Sequence, residues 1–450
     1  LRTRGGGTVP ARPSGVEMTG SNRPARTALA LTNGLLIDGT GAEPIRGATV
    51  LVDAEGTISY AGVGTLAPEI PSGTSTVDVG GNAILPGFFD CHVHFCLPGG
   101  AADIGLTMAL PASLKVFQIA ERMRTTLEAG VTSARDLMGV DVGFRMAIDA
   151  GVIAGPRLVL SVGIVSSTGG HGDMTQLSGI NVLPYLQSPG CFPAVADGED
   201  QVRAMTRRIL QAGADVVKIA ATGGVLTPTD RPDDVGMSVA EIRAVVEEAR
   251  SRRGGVHVAA HAQGRRGIQN ALDGGVDSIE HGYDLTTEQR AQMVDEGTFL
   301  VPTLSEVMGS LDPSAGPVAL AKKALWQGKA RTNFPAAVAA GVKIAAGTDA
   351  GAAPEHGHNL RELGLLVDNG LTSMQAIVAA TRHSAELCQL DHLVGTLEAG
   401  KRADMVVSDG NPLSNIALLG DPANILLVIK DGVVAKDRAG FLTDRPVSPR

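Results

Sequence analysis

Two histidines separated by a single residue, His92 and His94, point more directly to chemistry than any other pair in this chain. They follow closely on an apolar run, residues 84–89, that has the composition of a β-strand. Alternate side chains of a strand point to one face, so both imidazoles would lie on the same side, about 6 to 7 Å apart along the chain. Such a pair of nitrogen ligands can chelate one divalent ion and favours zinc or a similar metal. The remaining ligands must come from other parts of the chain.

The composition of the chain excludes several classes of protein. Its 450 residues are 44% hydrophobic, enough for one large core or two modest ones. Aromatic residues make up 3% and the net charge of −9 is not gathered in runs, so nucleic acid is not an expected partner. No apolar run approaches the roughly 18 residues of a membrane-spanning helix, so a membrane is not expected either. Four cysteines do not make a disulfide scaffold in so long a chain, and reduced thiols predict a cytoplasmic location.

From about residue 110 onward one unit recurs along the chain: a helical pattern, one or two glycines, and a short apolar strand. In the clearest case Ser238 and Glu241 form a capping box, and the strand 256–261 follows the helix. The predicted strands are the one leading to His92 and residues 131–136, 157–165, 215–220, 256–261, 276–280, 298–302 and 342–347. Eight such units are the count of a closed (β/α)8 barrel. An open doubly wound sheet is the alternative, but no GxGxxG motif follows a first strand.

The two flanks of the chain differ from this central pattern because both alternate short strand-like pieces with turns. We therefore expect an α/β protein, a (β/α)8 TIM barrel with a small β-sandwich domain built from both chain ends. The predicted boundaries are 28–83 and 394–450 for the composite sandwich and 84–393 for the catalytic barrel. Residues 1–27, whose first part is rich in Gly, Pro and Arg, are expected to be a disordered tail or a cloning remnant.

Polar residues at the ends of the predicted strands test the barrel hypothesis, because reactive groups of such barrels lie at the carboxyl ends of the strands. Four imidazoles and one carboxylate end or follow these strands, and one lysine is carried by the fourth: His92, His94, His261, His281, Asp349 and Lys218. That is the composition of a two-metal hydrolytic centre.

Lys218 needs an account of its own because it lies inside an apolar strand. A buried ammonium is costly, and more so beside two divalent ions. Burial lowers the pKa of the amine, and the neutral amine is a nucleophile toward CO2. The resulting carbamate is an anion that can bridge two metals. The expected cofactors are therefore two divalent metal ions, zinc first among them, and a CO2-derived carbamate on Lys218.

These residues and the sequence around them resemble the amidohydrolase superfamily over nearly the whole chain from about residue 28. The matching motifs are His92-Val93-His94, Lys218 and residues 259–262, 279–282, 347–351 and 395–404. Within the superfamily, residues 168–173, 223–228 and 356–363 resemble the prolidase-like, metal-dependent carboxypeptidase and ochratoxinase-type branch. Thr222 stands where that branch usually has serine, and residues 234–237 replace a more usual Gln-Phe stretch.

The resemblance implies a role for each residue of the centre. His92, His94 and Asp349 would hold an inner metal, His261 and His281 an outer one, with carboxylated Lys218 as the bridge. A hydroxide between the ions would be the nucleophile, because metal binding lowers the pKa of water to about 7. Asp349 would act as base and then as acid. His171, Tyr283 and His358 are the candidates for holding a substrate carboxylate or stabilising the oxyanion, His171 with a catalytic role.

The predicted function is that of a metal-dependent hydrolase that cleaves the amide C–N bond of a small N-acyl amino acid or dipeptide. The alternative keeps the two-metal centre but attacks a carbamate, a urea or another xenobiotic C–N bond. A deaminase is disfavoured because deaminases of this superfamily usually bind one metal without a bridging lysine. The remaining functional class is a non-catalytic barrel, and the intact set of candidate metal ligands argues against it. The expected partners are a small-molecule substrate and further copies of the chain in a homo-oligomer.

Overall fold

The computed structural model describes residues 26–100, 104–225, 230–309, 317–352 and 354–442. Of the tail predicted for residues 1–27, residues 1–25 lie outside the described residues. The strands in the described part are β1 Leu29–Leu36, β2 Ile45–Val52, β3 Ile58–Val63, β4 Ser75–Asp78, β5 Ala83–Pro86, β6 Phe88–Val93, β7 Val131–Asp136, β8 Arg157–Leu160, β9 Ile164–Ser166, β10 Ala194–Val195, β11 Val216–Ala220, β12 His257–Ala262, β13 Ser278–His281, β14 Phe299–Val301, β15 Met405–Ser408, β16 Ile425–Lys430 and β17 Val433–Asp437.

The helices in the described part of the chain lie mainly between the central strands. They are α1 Ile104–Ala109, α2 Ala112–Glu128, α3 Val142–Asp149, α4 Leu183–Leu186, α5 Glu199–Gln211, α6 Val239–Arg250, α7 Arg265–Gly274, α8 Thr287–Glu296, α9 Leu304–Met308, α10 Pro317–Ala339, α11 Arg361–Asp368, α12 Ser373–Val378 and α13 Ser384–Leu387. The capping box predicted from Ser238 and Glu241 begins α6. Within the described ranges no helix is both long and apolar enough to cross a membrane.

Both ends of the described chain contribute to one sheet. Its strand order is β17-β16-β15-β5-β1-β2-β3, with β4 paired to β1. The strand β5 joins the two ends because it pairs in parallel with β1 and antiparallel with β15. Apolar side chains from both ends, among them Leu31, Val50 and Leu427, form a core of their own under this sheet. The strand β5 extends three residues past the domain boundary predicted at residue 83.

The central strands pair in parallel, in the orders β6-β7-β8 and β10-β9-β11-β12-β13-β14. The third predicted strand, 157–165, is divided in the structure into β8 and β9. Val162 causes the division because its φ of +66° is outside the extended region. The Asp215 backbone N–H donates to the Leu160 carbonyl at 2.7 Å and so joins the end of β8 to the start of β11.

The segment 342–347, predicted as the eighth strand, carries single bridges in place of a strand ladder. Ile344 forms a parallel bridge with Leu300 of β14, and Ala350 forms one with Val93 of β6. The Cys91 N–H also donates to the Ala346 carbonyl at 2.8 Å. This segment therefore lies between β14 and β6, and the α/β class predicted from the sequence is confirmed.

Candidate active site

The two histidines of the HxH motif lie at the end of β6, and Asp90 fixes the backbone around them. The buried carboxylate of Asp90 accepts hydrogen bonds from the His92 N–H at 3.1 Å, the Thr348 hydroxyl at 2.6 Å and the Asn359 amide at 2.7 Å. The Asp349 N–H in turn donates to the His92 carbonyl at 2.8 Å. Asp90 thus binds β6 to the loop that carries Asp349, although the two are far apart in sequence.

The orientation of the His92 ring is set by a buried ion pair. His92 Nδ1 donates to Glu280 Oε2 at 2.9 Å, and Glu280 Oε1 accepts from Arg135 Nη2 at 2.8 Å. With Nδ1 occupied, Nε2 is the nitrogen left to face the site, as in histidines that bind metals. His92 Nε2 lies 3.6 Å from Asp349 Oδ1 and 3.5 Å from Lys218 Nζ.

His281 and Asp349 both adopt left-handed backbone conformations, with φ of +72° and +61°. Non-glycine residues seldom adopt this conformation, and such strain is concentrated at functional sites. His281 Nδ1 lies 2.7 Å from Thr303 Oγ1, which leaves Nε2 for the site. One ligand atom each from His92, His281 and Asp349 lies within 4.8 Å of the others, so these three buried residues could hold one metal ion.

The other two predicted ligands border this triad. His94 Nε2 lies 3.2 Å from Asp349 Oδ1, while its Nδ1 is 3.4 Å from the Met138 carbonyl. His261 packs its ring edge-on against His281 with 4.5 Å between centroids. The Nε2 of His261 donates to the Gly223 carbonyl at 3.0 Å, so Nδ1 is its free ligand atom.

Lys218 lies on β11 with 1% of its surface exposed, as the apolar strand around it predicts. Burial lowers the pKa of its ammonium to about 8, although the carboxylates of Glu280 and Asp349 act to raise it. Within the described residues, the hydrogen-bond contact of Lys218 Nζ is His92 Nε2, at 3.5 Å. The structure therefore brings Lys218, the four histidines and Asp349 into one buried cluster.

The protonation of the cluster fits a divalent cation. Burial lowers the pKa of His92 and His261 well below the usual value and that of His281 to about 3, which leaves neutral rings with free lone pairs. Burial acts to raise the pKa of Asp349, but His92, His94 and His281 outweigh it and keep the carboxylate ionised. Asp349 Oδ1 is buried, with His94 Nε2 at 3.2 Å and His92 Nε2 at 3.6 Å, and the carboxylate raises the pKa of His94. A buried carboxylate oxygen among imidazole nitrogens is a donor set of the kind that binds a divalent metal.

The three predicted substrate contacts have different surroundings. His171 is half-buried, stacks on His261 with 4.0 Å between ring centroids, and hydrogen-bonds Asp230 at 3.0 Å. Tyr283 is buried and donates its hydroxyl proton to Glu306 at 2.8 Å. His358 makes no hydrogen bond, ion pair or ring contact with the histidine cluster within the residues described. Of the three, His171 is the one that both borders the cluster and is partly exposed.

Sequence reasoning missed the residues that support the ligands. Glu280, the partner of His92, precedes His281 directly, and an acid inside an apolar strand was the available signal. Arg135 pairs with Glu280 and so supports His92 only through that carboxylate. Asp90 offers the same signal, an acid inside the apolar strand β6, whereas Thr303 offers none, because it acts through a contact with a distant segment.

The Amidohydrolase family model matches residues 83–435, which contain every residue of this cluster. The chain belongs to the amidohydrolase family and is a hydrolase that acts on C–N bonds.

Among its relatives, ochratoxinase from Aspergillus niger is 33% identical over 458 aligned residues, which cover 96% of this chain and 93% of ochratoxinase. The crystal structure of A. niger ochratoxinase superposes with a TM-score of 0.80 at 29% identity, covering 92% of this chain and 96% of that one. A Xaa-Pro dipeptidase with methionine bound in its active site superposes with a TM-score of 0.79 at 30% identity, covering 91% and 99% of the two chains.

Proposed function

We propose that this protein is a metal-dependent hydrolase that cleaves the amide bond of a small N-acyl amino acid or dipeptide. One observation carries the proposal: ligand atoms of His92, His281 and Asp349 converge within 4.8 Å in a buried site. Lys218 Nζ lies 3.5 Å from His92 Nε2, where a carbamate on it would join the same centre.

The scaffold of this centre is, in our proposal, a closed (β/α)8 barrel with the segment 342–347 as its eighth strand. The bridges of Ile344 to Leu300 and of Ala350 to Val93 support closure because they link β14 to β6. A closed ring would bring the carboxyl ends of all the strands to one rim. The candidate ligands at or near the ends of β6, β12 and β13 fit that rim, with Lys218 inside β11 beside them.

The ligand set would hold two divalent ions, zinc being our first choice, with His92, His94 and Asp349 at one and His261 and His281 at the other. When bound, such ions polarise a carbonyl and lower the pKa of a water molecule to about 7. The side chain of Asp349 would accept the proton of the attacking water and deliver it to the leaving amine. Its pKa lies below the usual carboxyl range because of the neighbouring histidines, so the side chain is ionised.

A free carboxylate on the substrate is suggested by the relatives and by His171. The Xaa-Pro dipeptidase holds an amino acid, methionine, in its active site. In this chain His171 stacks on His261 and has 24% of its side chain exposed, so it could meet a substrate beside the outer ligands. Gly224 permits this arrangement, because a Cβ there would lie 2.3 Å from the His171 ring.

Metal analysis followed by a substrate screen tests the proposal. We expect divalent metal in the purified protein and hydrolysis of N-acyl amino acids or dipeptides that chelation abolishes. Asp349→Asn should lower kcat by about 10²- to 10⁴-fold, the usual contribution of a general base. The exposed Asp368→Asn is the matched control. Turnover that survives full chelation would contradict the metal-dependent mechanism, and turnover of carbamates or ureas alone would contradict the proposed substrate class.

A further inference from the structure

We propose that Glu306, which is not among the candidate ligands, is a positioning residue that fixes the proton of His281 on Nδ1 and so leaves Nε2 free for a metal. It acts through a chain of three hydrogen bonds that passes over two hydroxyl groups, those of Thr303 and Tyr283. The inference rests on the proposed function only in taking His281 as a metal ligand. Its first test needs neither metal nor turnover.

The chain is unbroken and buried from end to end. His281 Nδ1 lies 2.7 Å from Thr303 Oγ1, which in turn lies 2.9 Å from the Tyr283 hydroxyl oxygen. That hydroxyl donates to Glu306 Oε2 at 2.8 Å. It also lies 3.4 Å from His281 Nδ1 and from the Thr303 carbonyl, both longer contacts than the one with the carboxylate. Each of the four residues is at most 3% exposed, so water does not compete for these bonds.

The chain has two possible directions in which every gap between neighbouring groups holds one proton. Each hydroxyl has a single proton to donate. When Glu306 accepts from Tyr283, the Tyr283 oxygen accepts from Thr303, and the Thr303 oxygen must then accept from Nδ1–H of His281. In the reverse direction Thr303 donates to Nδ1, which places the proton of the neutral His281 ring on Nε2. A protonated Nε2 has no lone pair for a metal.

The charge at the far end of the chain selects the first direction. Glu306 lies on α9, and Lys323 Nζ on α10 lies 3.9 Å from its second carboxylate oxygen, Oε1, which has no hydrogen-bond partner among the described residues. Burial raises the pKa of Glu306 to about 7 against the opposing effect of the Lys323 cation, so the carboxylate is ionised above that pH. An ionised carboxylate can only accept hydrogen bonds. It therefore imposes the order that leaves Nε2 of His281 unprotonated.

The backbone at Thr303 supports a role for its hydroxyl beyond local packing. Its φ is +46°, a left-handed conformation that β-branched residues rarely adopt. The N–H groups of the next two residues, Leu304 and Ser305, donate to the buried carboxylate of Glu362 at 2.8 and 2.7 Å and hold the segment in place. Strain that the surrounding structure maintains in this way is concentrated at functional sites.

NMR of the chelated protein at pH 8.5 tests the proposal directly, because long-range ¹H–¹⁵N correlations of an imidazole ring show which nitrogen carries the proton. The spectrum of His281→Ala identifies the signals of this ring. In the wild type we expect the proton on Nδ1. Glu306→Gln keeps the size of the side chain, but its carbonyl should face Lys323 and its NH2 group should donate to Tyr283. This reverses the chain, and the Nε2–H form should predominate. The exposed Glu296→Gln is the matched control and should retain Nδ1–H.

Zinc affinity and a pair of variants at Thr303 separate this role from simple support of the fold. Thr303→Val removes the hydroxyl and keeps the shape of the side chain, whereas Thr303→Ser keeps the hydroxyl. Competition with a chelator should show zinc binding about 10- to 100-fold weaker in Thr303→Val and in Glu306→Gln, the usual effect of losing a partner behind a ligating histidine. Thr303→Ser should bind zinc as the wild type does.

Three results would overturn the proposal: a proton on Nε2 of His281 in the wild type, an unchanged ring in folded Glu306→Gln, and equal zinc affinities in Thr303→Val and Thr303→Ser. Failure of the wild-type protein to bind zinc would contradict the proposed function instead. The position of the proton on His281 would still decide for or against the role of Glu306.

Discussion

Glu280 is the residue on which the orientation of His92 depends, and it makes no contact with a candidate substrate position. Its carboxylate is fully buried between the His92 ring and the Arg135 guanidinium. Because Glu280 accepts from Nδ1, it leaves Nε2 of His92 as the only nitrogen available to a metal. Partners of this kind tune metal affinity without touching the ion.

We therefore expect Glu280→Gln to weaken metal binding by about 10- to 100-fold, the usual effect of losing such a partner. The amide can still contact His92 but no longer fixes which ring nitrogen carries the proton, and it leaves Arg135 without a counter-charge. Competition against a chelator of known affinity measures the change, with circular dichroism as the check on folding. Glu288→Gln, on the exposed face of α8, should bind metal as the wild type does. Equal affinity in the two variants would contradict the role given to Glu280.

The Lys218→Met variant tests the proposed carbamate bridge. Methionine keeps the length and burial of the side chain but cannot form a carbamate. If carboxylated Lys218 bridges two ions, the variant should hold fewer equivalents of metal than the wild type, as measured by elemental analysis of the desalted protein. Lys343→Met removes a half-exposed lysine that pairs with Glu386 and should leave the metal content unchanged. A full complement of metal in Lys218→Met would exclude the bridge.

At the scale of elements, the sequence predicted the strands that carry ligands better than the connections between them. The strands that carry Lys218 and His261 follow from short, mainly apolar runs. One apolar run, residues 84–89, contains two strands, because Gly87 separates β5 of the terminal sheet from β6. A Cβ at Gly87 would lie 2.1 Å from the Thr132 hydroxyl oxygen, a contact between segments that no local pattern reveals.

The connection between β6 and the Asp349 loop yields the next prediction. Asp90→Asn replaces an oxygen that accepts from Thr348 and Asn359 with an amide that donates, so at least one of these buried bonds is lost. We expect about 1–3 kcal/mol of destabilisation, the cost of an unsatisfied buried group. Urea unfolding measures it. Asp295→Asn, exposed on α8, is the control. A loss no larger than in that control would show that Asp90 does not hold the loop in place.

At the scale of the whole molecule, the metal centre would link segments that are far apart in the sequence. Its candidate ligands span residues 92 to 349, and the sheet beside it is built from both ends of the described chain. A ligand that binds only the folded state stabilises it by mass action, by about 2.7 kcal/mol when its free concentration is 100 times the dissociation constant. The unfolded chain cannot assemble the site, because its ligands come from several separate strands and loops.

Zinc should therefore raise the midpoint of thermal unfolding of the chelated wild-type protein, with a rise that grows with the logarithm of the free metal concentration. In Asp349→Asn the same additions should produce little or no rise, since this variant loses the carboxylate that three imidazoles surround. The exposed Asp368→Asn should respond as the wild type does. Differential scanning calorimetry at buffered free zinc provides the measurement. An equal rise in all three proteins would mean that zinc binds elsewhere, because only a metal held by Asp349 distinguishes the first variant from the second.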